Sequence, residues 1–368
     1  MLKQLIGALV SVAVLTGCSQ LEKDATPTPV DYMGCVLSDN FGLDDQSVGS
    51  LTFLGALQAQ AQFGIKLRQV SVSANATYSD YETALATAMD FNCDMVVAVG
   101  GAAEVIEKNA AQYPNTNFVE VHGRPYSLGE ASGLSAAELS NVKSLSYDSA
   151  QGSFLAGYLA ATQSETKVVA GFADTLNRAE LAMLAGFSQG VAYANAKNQT
   201  NVVILGQATS LSDYWLTMGQ ANPAETETAI KDFIRQGADI IVPVVGSTQQ
   251  TGAASRAVEA VSLSGQKVSI IGTFANWYAG ESVSETKSAV LASVLLNIQR
   301  DVSEAIGADL DGTFNAGLTG EYLGTLANQG VELVGPHDIA FNQDFSNQIE
   351  TLKTAIASGQ IVITSRLQ

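Results

Sequence analysis

Residues 35–48 read CVLSDNFGLDDQSV, and Asp39, Asp44 and Asp45 crowd around Gly42 just after an apolar run. Closely spaced carboxylates can hold a cation, accept hydrogen bonds from a solute, or cap a helix. DNFGLDDQ does not fit the D-x-[DN]-x-[DN]-G-x5-E calcium loop. The only histidines, His122 and His337, do not stand at ligand spacing from a Cys or carboxylate. No metal and no cofactor is therefore expected. Asp39 falls one residue past its strand, where a ligand would be met. Asp44 or Asp45 is placed to cap a helix starting near Gln46, and Asp45 also remains a candidate ligand contact.

Other motifs offer different chemistry. GFSQG at 186–190 matches the G-x-S-x-G nucleophile elbow, which needs a strand-turn-helix context to expose its serine. Ser188 instead lies inside the helical run LAMLAGFSQGVAYA, where glycines permit close packing, so no catalytic residue is expected. Gly101 and Gly246 follow apolar strands without a phosphate-binding fingerprint, and such glycines let backbone approach a small ligand. Tyr214, Trp215, Phe274, Asn276 and Trp277 fall in loops after strands. Aromatic faces beside a few polar groups suit a planar ligand, and packing of loop onto lobe is the alternative.

The elements that would position these residues alternate along the chain. Strand-like runs CVLS, LRQVSV, MVVAV, NFVEV and VKSLSY are separated by longer Ala-rich amphipathic stretches. A second series, VVAGF, VVILG, DIIVPVV and VSIIG, follows GSFLAGYLAATQ. Repeated β-α-β implies parallel sheets with helices on both faces, and near-continuous apolar strands fit burial on both sides. ETKSAVLASVLLNIQRDVSEAIG reads as another long helix, EYLGTLANQGVELVG as short strands, and SNQIETLKTAIASG as a last helix. The tail is too small for its own domain, so the chain is expected to cross back. The first lobe is expected over 31–147 plus 275–325, and the second over 148–274 plus 326–368. Facing lobes would form a cleft lined by SDNFGLDDQ, VGGAAE, GFADTLNRAE, VVGSTQQTG and GTFANWYAG.

Composition narrows the partners. At about 100–200 residues per domain, 368 residues allow two domains, and 46% hydrophobic residues can fill their cores. A net charge of −18 argues against nucleic acid, whose phosphates demand a positive footprint. The opening MLKQLIGALVSVAVLTGC reads as a signal peptide over 1–17, ending in a Leu-Thr-Gly-Cys lipobox. Cys18 would then be lipidated, with palmitate-type acyl chains giving stable membrane anchoring. Residues 18–30 would form an extended Thr/Pro tether. An exported chain also permits a bridge between Cys35 and Cys93, each at the start of a strand, with two buried thiols as the alternative.

From about Met33 onward the chain resembles the basic membrane protein family, the purine-nucleoside-receptor-like lipoproteins that serve ABC importers. SDNFGLDDQSVG stands in place of the family's Asp-x-Gly-x-x-Asp-Asp-Lys-Ser-Phe-Asn loop. QYPNTNFVEV is similar to its kyPdvnF segment. Leu155 to Ala161 repeat its Leu-Ala-Gly-Tyr-Leu-Ala-Ala helix, and QGADIIVPVVG matches its second-lobe strand. The resemblance implies an α/β chain with the type I periplasmic-binding-protein fold: two Rossmann-like lobes with parallel sheets and a hinge of three crossovers. It implies a monomeric solute receptor, anchored to a bacterial cell membrane on its extracellular or periplasmic side, with ABC permease and ATPase subunits as partners.

The resemblance places the family's nucleoside-contacting aspartate at Asp39. Its two stacking phenylalanines fall at Val48 and Gln220, its ribose-gripping aspartate at Phe274, and the lysine beside that at Leu296. Only Asp39 keeps the family's residue type. Loss of both charged ribose partners makes that end apolar, with Asn276 or Gln249 left to compensate. The expected ligand is a small planar solute, a nucleobase or nucleoside-like molecule, stacked on Phe274 or Trp277. A sensory or adhesive lipoprotein that keeps the fold but has lost or changed nucleoside binding is the alternative. Cys18→Ala is expected to release the protein from membranes in a fractionation experiment, and retention there removes the lipid anchor.

Overall fold

The computed structural model describes residues 27–43, 47–122, 140–174, 178–207, 222–317, 320–335 and 343–364. Cys18 and His337 lie outside them. The first lobe begins with β1 (Met33–Leu37), α1 (Val48–Phe63), β2 (Lys66–Val70), α2 (Tyr78–Asp90), β3 (Met95–Val99), α3 (Ala103–Asn109), β4 (Asn117–Val121) and β5 (Val142–Tyr147). The second continues with α4 (Ser149–Gln163), β6 (Val168–Ala173), α5 (Arg178–Asn198), β7 (Val203–Leu205), α6 (Pro223–Arg235), β8 (Ile240–Val244), α7 (Thr248–Ser262) and β9 (Ser269–Gly272). The remaining elements are β10 (Val290–Leu296), α8 (Ile298–Leu310), β11 (Tyr322–Gly324), β12 (Val331–Val334) and α9 (Gln343–Ala357).

Two six-stranded sheets result, in the orders β11-β5-β4-β3-β1-β2 and β12-β10-β9-β8-β6-β7. Every pairing is parallel except β10 with β12. The inner strands β3 and β8 are buried along their whole length, as helices on both faces require. In the first sheet Cys35 pairs in register with Val96. Cys93 precedes that strand, and the two cysteines are joined across β1 and β3 with Cα atoms 5.9 Å apart.

One segment departs from expectation. VLASVLL is not helix but β10, paired with β9 on one side and β12 on the other. Only the following stretch, α8, is helical, and it packs on α1 of the first lobe. Residues 290–296 therefore belong to the second sheet, and the chain returns to the first lobe after Leu296 rather than near 275. The cause is burial on both sides: six of the seven β10 residues are buried, so the segment shows neither strand alternation nor a polar helix face. The start of α1 differs as well. Ser47 occupies its cap position, so neither Asp44 nor Asp45 does.

The chain passes between lobes three times: from β5 to α4, from β10 to α8, and from β11 to β12. One partly buried network touches all three passages. Tyr147, at the end of β5, donates to Asp301 Oδ2 at 3.0 Å. Arg300, at the start of α8, donates to Asp301 Oδ1 at 2.8 Å and to the Tyr322 hydroxyl at 3.0 Å. Beside it Gly324 and Gly330 cross so closely that a Cβ on Gly330 would collide with the Gly324 Cα.

Helices α4 and α5 form the tightest pairing of the second lobe. Gly157 faces the Phe187 carbonyl, Gly186 the Ala150 carbonyl, and Gly190 the Phe154 carbonyl, with no room for a side chain at any of the three. The glycines of GFSQG thus seat one helix backbone on another. Among the described residues no helix is long and apolar enough to cross a membrane. Thiol labelling of the oxidised, unfolded mature protein should find neither Cys35 nor Cys93 free. Replacing both by Ala should lower the unfolding free energy by about 2–4 kcal/mol. Reactive thiols at either position would remove the bridge.

Candidate functional site

Parallel sheets free the loops after their strands at one end, and ligands gather where strand order reverses. The order reverses at β1, which lies between β2 and β3, and at β6, which lies between β7 and β8. Each reversal point carries an aspartate. Asp39, two residues past β1, is buried, and its Oδ1 accepts the Phe41 N–H at 2.9 Å. Gly100, just past β3, lies against it: a Cβ there would stand 2.9 Å from Asp39 Oδ2, and its φ of +48° is one that glycine tolerates best. Tyr81 of α2 completes this corner, with its hydroxyl 3.0 Å from where a Gly101 Cβ would be. Burial, and then the Asp39 charge, raise the Tyr81 phenol above its ordinary range.

The second lobe repeats the arrangement. Asp174, one residue past β6, is buried, and its Oδ2 accepts the Gly246 N–H at 3.0 Å. A Cβ on Gly246 would lie 3.8 Å from Asp174 Oδ2 and 3.9 Å from Ser47 Oγ, so the rims of the two lobes approach here. Ser47 leads directly into Val48, the half-buried first residue of α1.

Nearer the hinge the floor is aromatic. His122 follows β4 and Phe274 follows β9, and these strands hold equivalent places in the two sheets. Their rings meet across the lobes edge-to-face with centroids 6.2 Å apart, and Tyr147 stands at the same distance from His122. Both residues are left-handed, His122 at φ 61° and Phe274 at φ 66°. Burial pulls the His122 imidazole down to about 4, so it is neutral at neutral pH. Its Nε2 is enclosed without a hydrogen-bond partner among the described residues, and so is Asn276 Oδ1.

The sequence candidates divide. Asp39, Gly101, Gly246, Phe274 and Asn276 lie just beyond the carboxyl ends of strands, and Val48 opens α1. Trp277 does not serve the cleft. It is 2% exposed, packs over Gly272 in the outer core of the second sheet, and donates its indole N–H to the Thr273 carbonyl at 2.9 Å. Leu296 is fully buried core, and its backbone N–H holds the Phe274 carbonyl at 2.9 Å. Gln249 is exposed on α7, while its neighbour Gln250 turns inward to Ser247 at 2.8 Å. Asp45, Tyr214, Trp215 and Gln220 lie outside the described residues. Among the described residues no group of three or more His, Cys, Asp or Glu could hold a metal ion. Ser188 Oγ sits 3.2 Å from Gln207 Oε1, mid-helix and away from any strand-to-helix elbow.

The sequence placed Asp174 in the loop GFADTLNRAE without singling it out, offered His122 only as a metal ligand, and did not mark Tyr81. Asp174 was detectable, since it follows the first strand of its lobe much as Asp39 does. Nothing in the local sequence marked the other two.

A family model described as ABC transporter substrate-binding protein PnrA-like matches residues 35–365. A search of curated proteins returns no significant match. Among solved structures, the chain is similar to an ABC transporter solute-binding protein from Aeropyrum pernix K1, at TM-score 0.72 and 20% identity, covering 92% of this chain and 94% of that one. It is also similar to a solute-binding protein from Conexibacter woesei, at TM-score 0.66 and 17% identity, covering 91% and 99%. A structure described as a transcriptional activator of the comK gene from Bacillus halodurans matches at TM-score 0.65 and 17% identity, covering 90% and 99%. These likenesses support the type I periplasmic-binding-protein fold.

The buried imidazole has a consequence for acid stability. The unfolded chain takes up this proton near pH 6.5, the folded protein only near 4. Acidification through that window therefore favours unfolding, by up to roughly 3 kcal/mol. His122→Asn, which tolerates the left-handed backbone, should lose less stability than wild type between those pH values in urea titrations. Equal losses would show that His122 protonates freely in the fold.

Proposed function

The chain belongs to the Bmp family of PnrA-like ABC transporter substrate-binding proteins, and from that premise we propose that it binds a nucleobase or nucleoside-like solute between its lobes. The family is one of solute receptors for importers, so its partners are a permease and an ATPase and its work lies outside the cytoplasm. The finer reading rests on one observation: Phe274 of the second lobe faces the first lobe at 6.2 Å from His122, at the strand ends that also carry Asp39 and Asp174.

An aromatic ring and carboxylates at the same ends of the sheets suit a flat heterocycle with N–H groups along its edge. The phenyl ring supplies stacking area, and a carboxylate accepts ring N–H groups in charge-assisted bonds. Phe274, backed by the buried Leu296, makes this end apolar and offers ribose hydroxyls no charged partner. A free base is accordingly favoured over a sugar-bearing one. Binding would draw the lobes together about the three crossovers and present a joint surface to the permease. Lipid on Cys18 would hold the protein, as a monomer, at the membrane.

A second reading keeps the fold without transport, as a sensory or adhesive lipoprotein. It is favoured by the burial of Phe274, which is only 4% exposed. Neighbouring genes separate the two: permease and ATPase genes favour import, a histidine kinase favours sensing.

Thermal-shift and calorimetric screens of purine and pyrimidine bases and nucleosides should yield a binder. Asp39→Asn should weaken that binder by about ten- to a hundredfold, the worth of one charge-assisted hydrogen bond. A screen in which no base or nucleoside shifts the protein would sink the ligand class.

A further inference from the structure

Helix α1 has the composition of a buried helix and the position of an exposed one. Its sequence, VGSLTFLGALQAQAQF, contains no charged residue. The likewise uncharged α4 is enclosed, with 12 of its 15 residues buried, whereas α1 buries only 6 of its 16. Other helices put charge on their outer faces. α2 exposes Asp80, Glu82 and Asp90, and α6 exposes Glu225, Lys231 and Arg235. A helix without a polar, charged side is ordinarily covered all round.

The open side of α1 is patterned. Gly55 lies against the Gln299 carbonyl and Val302 of α8, so that flank is taken. Turned away from it, Leu54 (45% exposed), Leu57 (37% exposed) and Ala61 stand at i, i+3 and i+7, bordered by Gln58 and Gln62. Such a stripe is how one helix packs on another. Among the described residues no other two exposed large hydrophobics share a helix face.

The strand order says what meets the stripe. The passages between the lobes leave the first sheet from β5 and β11 at one edge, and α1 joins β1 to β2 at the other. In the second sheet β10 and β12 likewise hold one edge, with β6 and β7 at the far one. Lobes joined along one edge part along the other, so a solute enters and leaves on the side of α1. The partner that receives it sits there, and for this family of importer receptors that partner is a permease. A second copy would bring a net charge of −18 against −18, which opposes association. The chain ahead of Pro27, which lies by Gly64 at the end of α1, reads SQLEKDAT over residues 19–26 and has one large apolar residue, too few to fill the stripe.

We infer that the Leu54, Leu57 and Ala61 stripe is the first lobe's docking surface for the permease, and that it takes an uncharged helical segment of that partner by apolar packing. This rests on the family's role in import and is independent of the class of solute.

Two readouts test it on the full lipoprotein in membranes that also hold its permease and ATPase. Benzoylphenylalanine in place of Leu57 should photo-crosslink to a permease subunit. The same substitution for Leu263, which is 83% exposed just after α7, should not. The double variant Leu54→Gln, Leu57→Gln should bind the permease at least tenfold more weakly, with its unfolding midpoint unchanged. Equal permease adducts from Leu57 and Leu263, an adduct from Leu57 with a second copy of this chain in place of the permease, or full permease affinity in the double variant overturns the inference while the proposed ligand class stands. A permease adduct from Leu57 beside a failed solute screen sinks the ligand class and leaves the docking surface in place. A wild-type protein that binds no permease overturns both the docking surface and the import reading. Should the double variant fail to fold, the two crosslinking positions still decide.

Discussion

At Asp301 the three passages of the chain between its lobes converge on one carboxylate. Tyr147 reaches it from the first passage, Arg300 from the second, and through Arg300 it is linked to Tyr322 beside the third. Burial pushes the Asp301 carboxyl up and the adjoining guanidinium opposes it, while burial and that same carboxylate push the Tyr147 phenol up. An ion pair in such a place is a weak source of net stability, but removing one partner strands the other. Its effect is geometric. These side chains all stand on first-lobe elements where the three passages leave, and Tyr147 touches both His122 and the network.

Above this hinge the two lobes are variations on one plan. Both sheets reverse their strand order at the strand next to one edge, and both put an aspartate just past it. The aspartates differ in what they hold. Asp39 braces its own loop through Phe41, whereas Asp174 reaches the next strand end at Gly246. The first arrangement ties the carboxylate to a short loop, the second to the start of α7. The site is therefore made from the ends of rigid elements, and the lobes deliver it by how they face each other.

Much of this was legible in the chain. Alternating apolar runs and Ala-rich stretches revealed the parallel sheets and the strand ends that the candidate site uses. What stayed hidden depends on contacts between distant residues. VLASVLL could not be distinguished from helix without β12, which pairs with it from some 35 residues away. Trp277 was read as a ligand platform because it sits in a loop after a strand, but Gly272 leaves a hollow that the indole fills from behind. Val48 and Leu296 show the two sides of a family resemblance: both positions were located, yet one borders the cleft and the other is sealed in the core. The contact of His122 with Phe274, 152 positions further on, has no mark in the local sequence.

The seam between α4 and α5 bears on how freely this chain can vary. At Gly157, Gly186 and Gly190 one helix backbone rests on the other, and every other amino acid adds at least a Cβ where a carbonyl already stands. A glycine codon has no single-nucleotide missense neighbour that avoids this. These three positions are thus closed to gradual drift, and the second lobe can diversify only around a fixed helix pair. Gly265, Gly312 and Gly359, by contrast, have no atom within 4 Å of where a Cβ would stand, so steric crowding of this kind is confined to the packed seams.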